Sequence, residues 1–328
     1  MKYSRGSSAS LIVLAMFMLG ALILLLMRQT IIDQVVVWQY EPTTEIEELA
    51  SRTEMSTKGR FLFYASKPSI SERDEFNKMC SNHDHSTAVL GCYTAGDIYI
   101  YDITEPRLDG IKAVTAAHEM LHAAYERLSE NEREKINELL NKEYALLQND
   151  EDLAARVAVY EDIEAEHLDN ELHSLLGTEV KNLSPELEEY YAKYFDNRSK
   201  VVKLYDSYRL VFDELEDKAD DINKKLSNLQ KDINQRSKAY SDGVARLNRD
   251  INDFNRRAGN GSFTSEAAFE SERASLMARS SGLASERRII NERINEFNAL
   301  NAQLLDIANQ TKVLDQSINS SLPATPQL

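Results

Sequence analysis

Between residues 11 and 27 the sequence LIVLAMFMLGALILLLM is apolar or glycine at every position. With Ala9 and Ser10 it reaches the ~20 residues that a helix needs to cross a bilayer. Segment 9–27 is therefore expected to be a transmembrane anchor behind a short tail at 1–8. The run is long for a signal-peptide core, and no small-x-small cleavage pattern precedes RQTIIDQ. Residues 28–60 read as a juxtamembrane stalk, extended through IIDQVVVWQY and acidic afterwards. FLFYASKPSI reads as a strand, and SERDEFNKMC as a short helix capped by Ser71. TAVLGCYTAGDIYIYDI reads as a hairpin with Ala95, Gly96 and Asp97 at its turn and alternation through Ile98, Tyr99, Ile100 and Tyr101. From Ile111 the period becomes helical, with Ile111, Val114, His118, Leu121, His122 and Tyr125 on one face.

From about residue 200 the pattern changes to heptads. Tyr205, Phe212, Ala219, Leu226, Ile233, Tyr240, Leu247 and Phe254 recur in phase, and Leu215, Ile222 and Leu229 supply a second seam. After a phase shift that seam passes to Val244 and Ile251. AGNGSFTS interrupts the series, with Gly259 and Gly261 as stop signals. A second series then runs through Leu276, Leu283, Ile290, Phe297 and Leu304. Two long helices joined by a short glycine-containing turn predict an antiparallel hairpin, its first arm ~80 Å long at 1.5 Å per residue. The expected organisation is a domain at 61–199, a coiled-coil hairpin at 200–319 with its turn near 258–264, and a disordered tail at 320–328.

Charge narrows the partners. The chain carries 38 Lys+Arg against 54 Asp+Glu, a net charge of −16. That balance repels a phosphate backbone, and no basic, aromatic-interleaved patch interrupts it, so nucleic acid is excluded. Lys2 and Arg5 precede the apolar run and Arg28 is the nearest cation after it. The positive-inside rule then places the N-terminus in the cytoplasm and the body outside. In an oxidising compartment Cys80 and Cys92 would close a short disulfide loop. Two buried thiols are the other reading, and both stay open at this point.

The candidate chemistry lies in VTAAHEMLHAAYERL, residues 114–128. In H-E-x-x-H one helical turn brings His118 and His122 to the same side, where they can share a zinc ion. Glu119 would be the general base toward a water whose pKa the metal lowers. With 6 histidines in 328 residues, chance supplies on the order of 0.01 such matches per chain.

On these residues the chain resembles the zincin metallopeptidases, over about residues 60–185. The resemblance implies an α+β catalytic domain, Zn2+ as cofactor, a peptide or protein substrate, and an edge strand that pairs with extended substrate. GDIYIYDI is the candidate for that strand. A third protein ligand is required, leaving one position open. Nothing after His122 continues as the metzincin pattern. In the gluzincin branch a second helix supplies a glutamate, often as Asn-Glu with a small residue three positions on. NELHS matches with Asn170, Glu171 and Ser174. Glu143, in NKEYALL, is the competitor, with closer spacing but the bulky Leu146 in the small-residue position. His173, Tyr160 and Glu179 are further candidates near the chemistry, against an ordinary packing role for each. Cys80, His83 and His85 in CSNHDH suggest a second metal site or, more simply, a solvated loop. Gly91–Cys92 invites comparison with peptide deformylases, whose glycine-rich first motif is absent.

The sequence therefore predicts a membrane-anchored zinc metallopeptidase with a C-terminal coiled coil. The other reading is a membrane-tethered scaffold whose peptidase-like domain is inactive. Substrate identity, with envelope proteins among the candidates, and a coiled-coil partner or homo-oligomer are left open.

Overall fold

A computed structural model describes residues 6–80, 89–149, 151–158 and 165–320. Among these residues 78 % are helical, which corrects the α+β expectation to a mainly helical chain with one small sheet. The elements are α1 (Gly6–Leu26), α2 (Arg28–Gln39), α3 (Thr44–Arg52), α4 (Thr57–Ala65), β1 (Ser69–Ser71), α5 (Arg73–Met79), β2 (Gly91–Thr94), β3 (Asp97–Tyr101), α6 (Ile111–Glu126), α7 (Glu130–Leu146), α8 (Glu151–Ala158), α9 (Ala165–Thr178), α10 (Pro185–Tyr191), α11 (Arg198–Gly259) and α12 (Glu266–Ile318). The chain divides into two units, one of residues 1–211 with 314–328 and one of residues 212–313.

The first expectation to be corrected is the anchor. The exposed apolar side chains described on α1 run from Val13 to Leu25. The helix ends at Leu26, and Met27 caps a separate, more polar α2. Among the described residues no helix is long and apolar enough to cross a membrane. The single-pass anchor at 9–27 is withdrawn, and so is the cytoplasmic-to-extracytoplasmic orientation deduced from it.

In the first unit α6 is the central element. It is buried almost all round, with Ala113, Ala116, Ala117, Ala123 and Ala124 among its inaccessible positions. Small side chains let neighbours approach on every side, and α3, α4, α9, β2 and β3 all pack on it. Ile98 and Ile100 of β3 and Met120 and Leu121 of α6 are completely buried between the layers. The sheet order is β1–β3–β2, with β1 parallel and β2 antiparallel to β3. The hairpin turn carries Ala95 and Gly96 at positive φ. Because β1 covers its other side, β3 is the middle strand, and GDIYIYDI is not an edge that could accept a peptide.

Other segments differ from their sequence reading: the expected stalk at 28–60 packs into the first unit through the buried Ile46, Leu49 and Ala50, and Ser71 lies in β1 while Glu72 precedes α5. IIDQVVVWQ is helical, within α2, and its buried Asp33 meets Arg127, the residue that follows α6, in a bidentate ion pair at 2.9 and 3.0 Å. FLFYA closes α4 instead of forming a strand, and Ser56 caps that helix by accepting from the Gly59 N–H at 3.1 Å. Arg198, at the start of α11, donates to the carbonyls of Val180 at 2.7 Å and Lys181 at 3.1 Å, which lie just beyond α9. The last turn of α12 returns to this unit. Leu314 is fully buried there, and Asn77 of α5 donates to the Ser320 carbonyl at 2.7 Å.

The second unit is the expected long hairpin. Arg236 pairs with Glu286 at 2.9 Å, and Arg279 with Asp250 at 2.8 Å. Partners that advance on one helix and recede on the other require antiparallel arms. Gly243 lets the arms close, since a Cβ there would stand 2.8 Å from Leu283 Cδ2. At the tip Phe254 packs against Phe263 and Phe269, with ring centroids 5.2 and 5.0 Å away. Gly261, at φ +73°, makes the turn. Residues 321–328, most of the tail expected to be disordered, lie outside the described residues.

Candidate metal centre

His118 and His122 stand one turn apart on α6 because the helix period brings positions i and i+4 to one side. Glu171 comes from α9, which crosses close to α6. The closeness has a sequence cause. Ser174 is completely buried, and a Cβ at Gly177 would collide with Leu121 of α6 and stand 2.7 Å from Tyr191 of α10. Small residues at these positions bring the second helix within reach of the histidines.

Side-chain donors from the three residues lie within 4.8 Å of one another. The two Nε2 atoms are 3.0 Å apart, and each is 3.4 Å from an oxygen of Glu171. Tetrahedral zinc with bonds of about 2.0–2.1 Å separates its ligand atoms by about 3.3 Å, so the triangle has the dimensions of one tetrahedral face. An N, N, O donor set also suits that ion. Asn170 Oδ1 lies 3.0 Å from His122 Nδ1 and accepts its N–H, which leaves the Nε2 lone pair facing the cluster. The side chains of His118, His122 and Glu171 keep 17, 15 and 11 % of their surface accessible, so a fourth position can be reached from solvent.

The electrostatics follow from the packing. Burial works against a charge on His118, but the Glu171 carboxylate outweighs it and lifts the imidazole to about 9. Burial likewise opposes ionisation of Glu171, yet the two histidines hold its carboxyl well below the usual carboxylate range. Glu119 is buried under β2. Desolvation raises its pKa against the pull of the histidines and of the Tyr93 backbone N–H, which it accepts.

The remaining candidates take other positions. Glu143 is buried, but both its oxygens accept from the Ser184 N–H at 3.2 Å, at the start of α10. It is outside the cluster of His118, His122 and Glu171. His173 is fully buried among the rings of Tyr125, Tyr190, Tyr191 and Tyr194. Burial and the neighbouring histidines lower it to about 3, so it stays neutral. Glu179 forms an ion pair with Arg156, whose Nη1 also donates to the Tyr205 hydroxyl at 2.5 Å. Cys80 is joined to Cys92 in a disulfide, and His83, His85 and Tyr160 lie outside the described residues. Sequence reasoning missed two things: that Asn170 orients His122, and that Gly91 and Tyr93 lie over Glu119. The Asn-Glu pair was a signal for the first; a glycine beside a cysteine on a strand was the only signal for the second. No family model matches the chain, and neither does any curated protein or solved structure with which it was compared.

Proposed function

We propose that the chain is a zinc-dependent peptidase of the zincin type, hydrolysing peptide bonds in a peptide or protein substrate. The observation that carries this reading is the convergence of two imidazole nitrogens and a carboxylate from α6 and α9. Zinc bound there would supply a Lewis acid and make a water acidic enough to act near neutral pH. The chain's own residues do the rest. Asn170 fixes the tautomer of His122, and Glu171 supplies the negative charge that balances a cation. Glu119, next to His118 on the same helix, is the proton acceptor and then returns the proton to the leaving nitrogen. Burial raises its pKa, which brings proton uptake closer to neutral pH.

The test is metal analysis of the purified full chain together with cleavage of a peptide library. Glu119→Gln is expected to retain zinc and lose turnover, because it removes the acceptor and no ligand. Cleavage by Glu119→Gln at the parental rate would sink the mechanism. Stoichiometric zinc with no cleavage of any peptide would shift the function toward the hairpin as a scaffold.

A further inference from the structure

The geometry points to Gly91 as the residue that positions Glu119, with the Cys80–Cys92 bridge holding the strand that carries it. This rests on the reading of Glu119 as the proton acceptor. At Gly91, β2 lies so close to α6 that a Cβ there would stand 2.5 Å from Thr115 Cγ2, 2.7 Å from Glu119 Oε1 and 2.9 Å from Glu119 Cγ. Relaxed contacts between carbon atoms need about 3.5–4.0 Å. Gly91 is not among the glycines at positive φ, so its backbone conformation does not explain it. What the absent side chain provides is space, and the Glu119 carboxylate occupies that space.

A second contact comes from Tyr93. In the antiparallel ladder the Tyr101 N–H donates to the Leu90 carbonyl at 2.9 Å. Alternation then turns the backbone groups of Leu90, Cys92 and Thr94 toward β3 and those of Gly91 and Tyr93 outward. The outward Tyr93 N–H is the one that Glu119 accepts. The carboxylate is thus held by a donor at Tyr93 and a wall at Gly91. Cys92 lies between these two residues, is 2 % exposed, and is bonded to Cys80 at the end of α5. The bridge fixes the strand at the place where it touches the carboxylate. His118, His122 and Glu171 are not among the nearest neighbours of a Cβ at Gly91.

A methyl group at Gly91 therefore displaces Glu119 and spares the ligand set. Thr115 yields little, being β-branched and tied by its hydroxyl to the Ile111 carbonyl at 2.9 Å. Glu119 is the side chain that can rotate away.

The test uses the full chain loaded with zinc as wild type, Gly91→Ala, Gly91→Ala/Thr115→Ser, and Cys80→Ser/Cys92→Ser. Zinc content, kcat and KM on a library-derived peptide, and hydrogen exchange of the Tyr93 amide are measured. Gly91→Ala is expected to keep its zinc and its KM while kcat falls about 100-fold, the cost of an ångström of misplacement. Its Tyr93 amide should exchange about tenfold faster, as one hydrogen bond is lost. Thr115→Ser should recover stability but not kcat, because the methyl clash is relieved and the carboxylate clash remains. The double serine variant should also keep zinc and lose kcat. Parental kcat with parental Tyr93 exchange in Gly91→Ala would overturn the assignment, as would equal loss of zinc and turnover in both alanine variants. If the wild type neither holds zinc nor cleaves, the peptidase reading fails and the amide decides alone. Faster Tyr93 exchange in Gly91→Ala and in Glu119→Ala would still support the seat, and unchanged exchange would refute it.

Discussion

Zinc binding should release a proton from His118, and its apparent affinity should rise with pH. In the metal-free protein the Glu171 carboxylate lies 3.4 Å from His118 Nε2 and lifts that imidazole, against the opposing effect of burial, to about 9. At pH 7 only about one site in a hundred then presents a free Nε2 lone pair, so apparent affinity is about 100-fold below its limit. It should climb about ninefold from pH 7 to 8 and about fivefold from pH 8 to 9. Competition with a chromogenic zinc chelator at pH 7, 8 and 9 gives the slope, and calorimetry in two buffers of different ionisation enthalpy counts the proton. A flat affinity over this range would mean that His118 either carries no proton or is not a ligand. Glu171→Gln removes the charge responsible, so the slope above pH 7 should vanish along with most of the affinity. The stability of the metal-free protein provides an independent sign check. His118 is raised from about 6.5 unfolded, so its contribution is fully present below that pH and is lost as pH rises through about 9. Denaturant midpoints of the metal-free chain should therefore fall from pH 7 to 9.

Three further outcomes follow from the packing. Glu171→Ala should strip zinc, whereas Glu143→Ala should keep it and lose about 0.5–2 kcal/mol with the cap of α10; dialysis followed by metal analysis, with circular dichroism as the folding control, decides, and the reverse pattern would move the ligand to Glu143. Asp33→Ala leaves Arg127, 11 % exposed, without its bidentate partner and should cost about 3 kcal/mol in urea unfolding, where a change below about 1 kcal/mol would mean that the pair contributes little. Phe254→Ala removes the centre of the aromatic cluster at the hairpin tip and should cost about 3 kcal/mol, read as an earlier loss of helical signal, while an unchanged transition would show that the tip is held by its turn alone.

What the sequence revealed follows the range of the interactions involved. The histidines and Glu119 were legible because their arrangement needs only one helical turn, and the hairpin because heptads repeat over many turns. Glu171 was legible through a local mark, Asn170 before it and Ser174 after it, though its closeness to His118 is a tertiary fact. The β2–β3 hairpin was read from its turn, but the role of β3 was not, since β1 pairs with it across a long separation in sequence. The β-branched run in α2 suggested extended chain. It is helical instead, and its Asp33 makes a buried ion pair with Arg127, far away in sequence. For residues 9–27 the apolar composition suggested a spanning helix, whereas among the described residues no helix is long and apolar enough to cross a membrane.

The first unit is completed by residues from both sides of the long insertion, with Leu314 buried in it and Ser320 held by Asn77. During synthesis α5 must therefore wait for residues 314–320 before it gains those contacts. Were residues 212–313 a flexible loop of about a hundred residues, closing it would cost about 4 kcal/mol. Local heptad pairing can zip the arms together first and bring the ends near each other before the distant contacts form. The hairpin would then shorten the search, and a variant that zips slowly should leave the nascent chain open to proteolysis for longer even if the finished protein is equally stable.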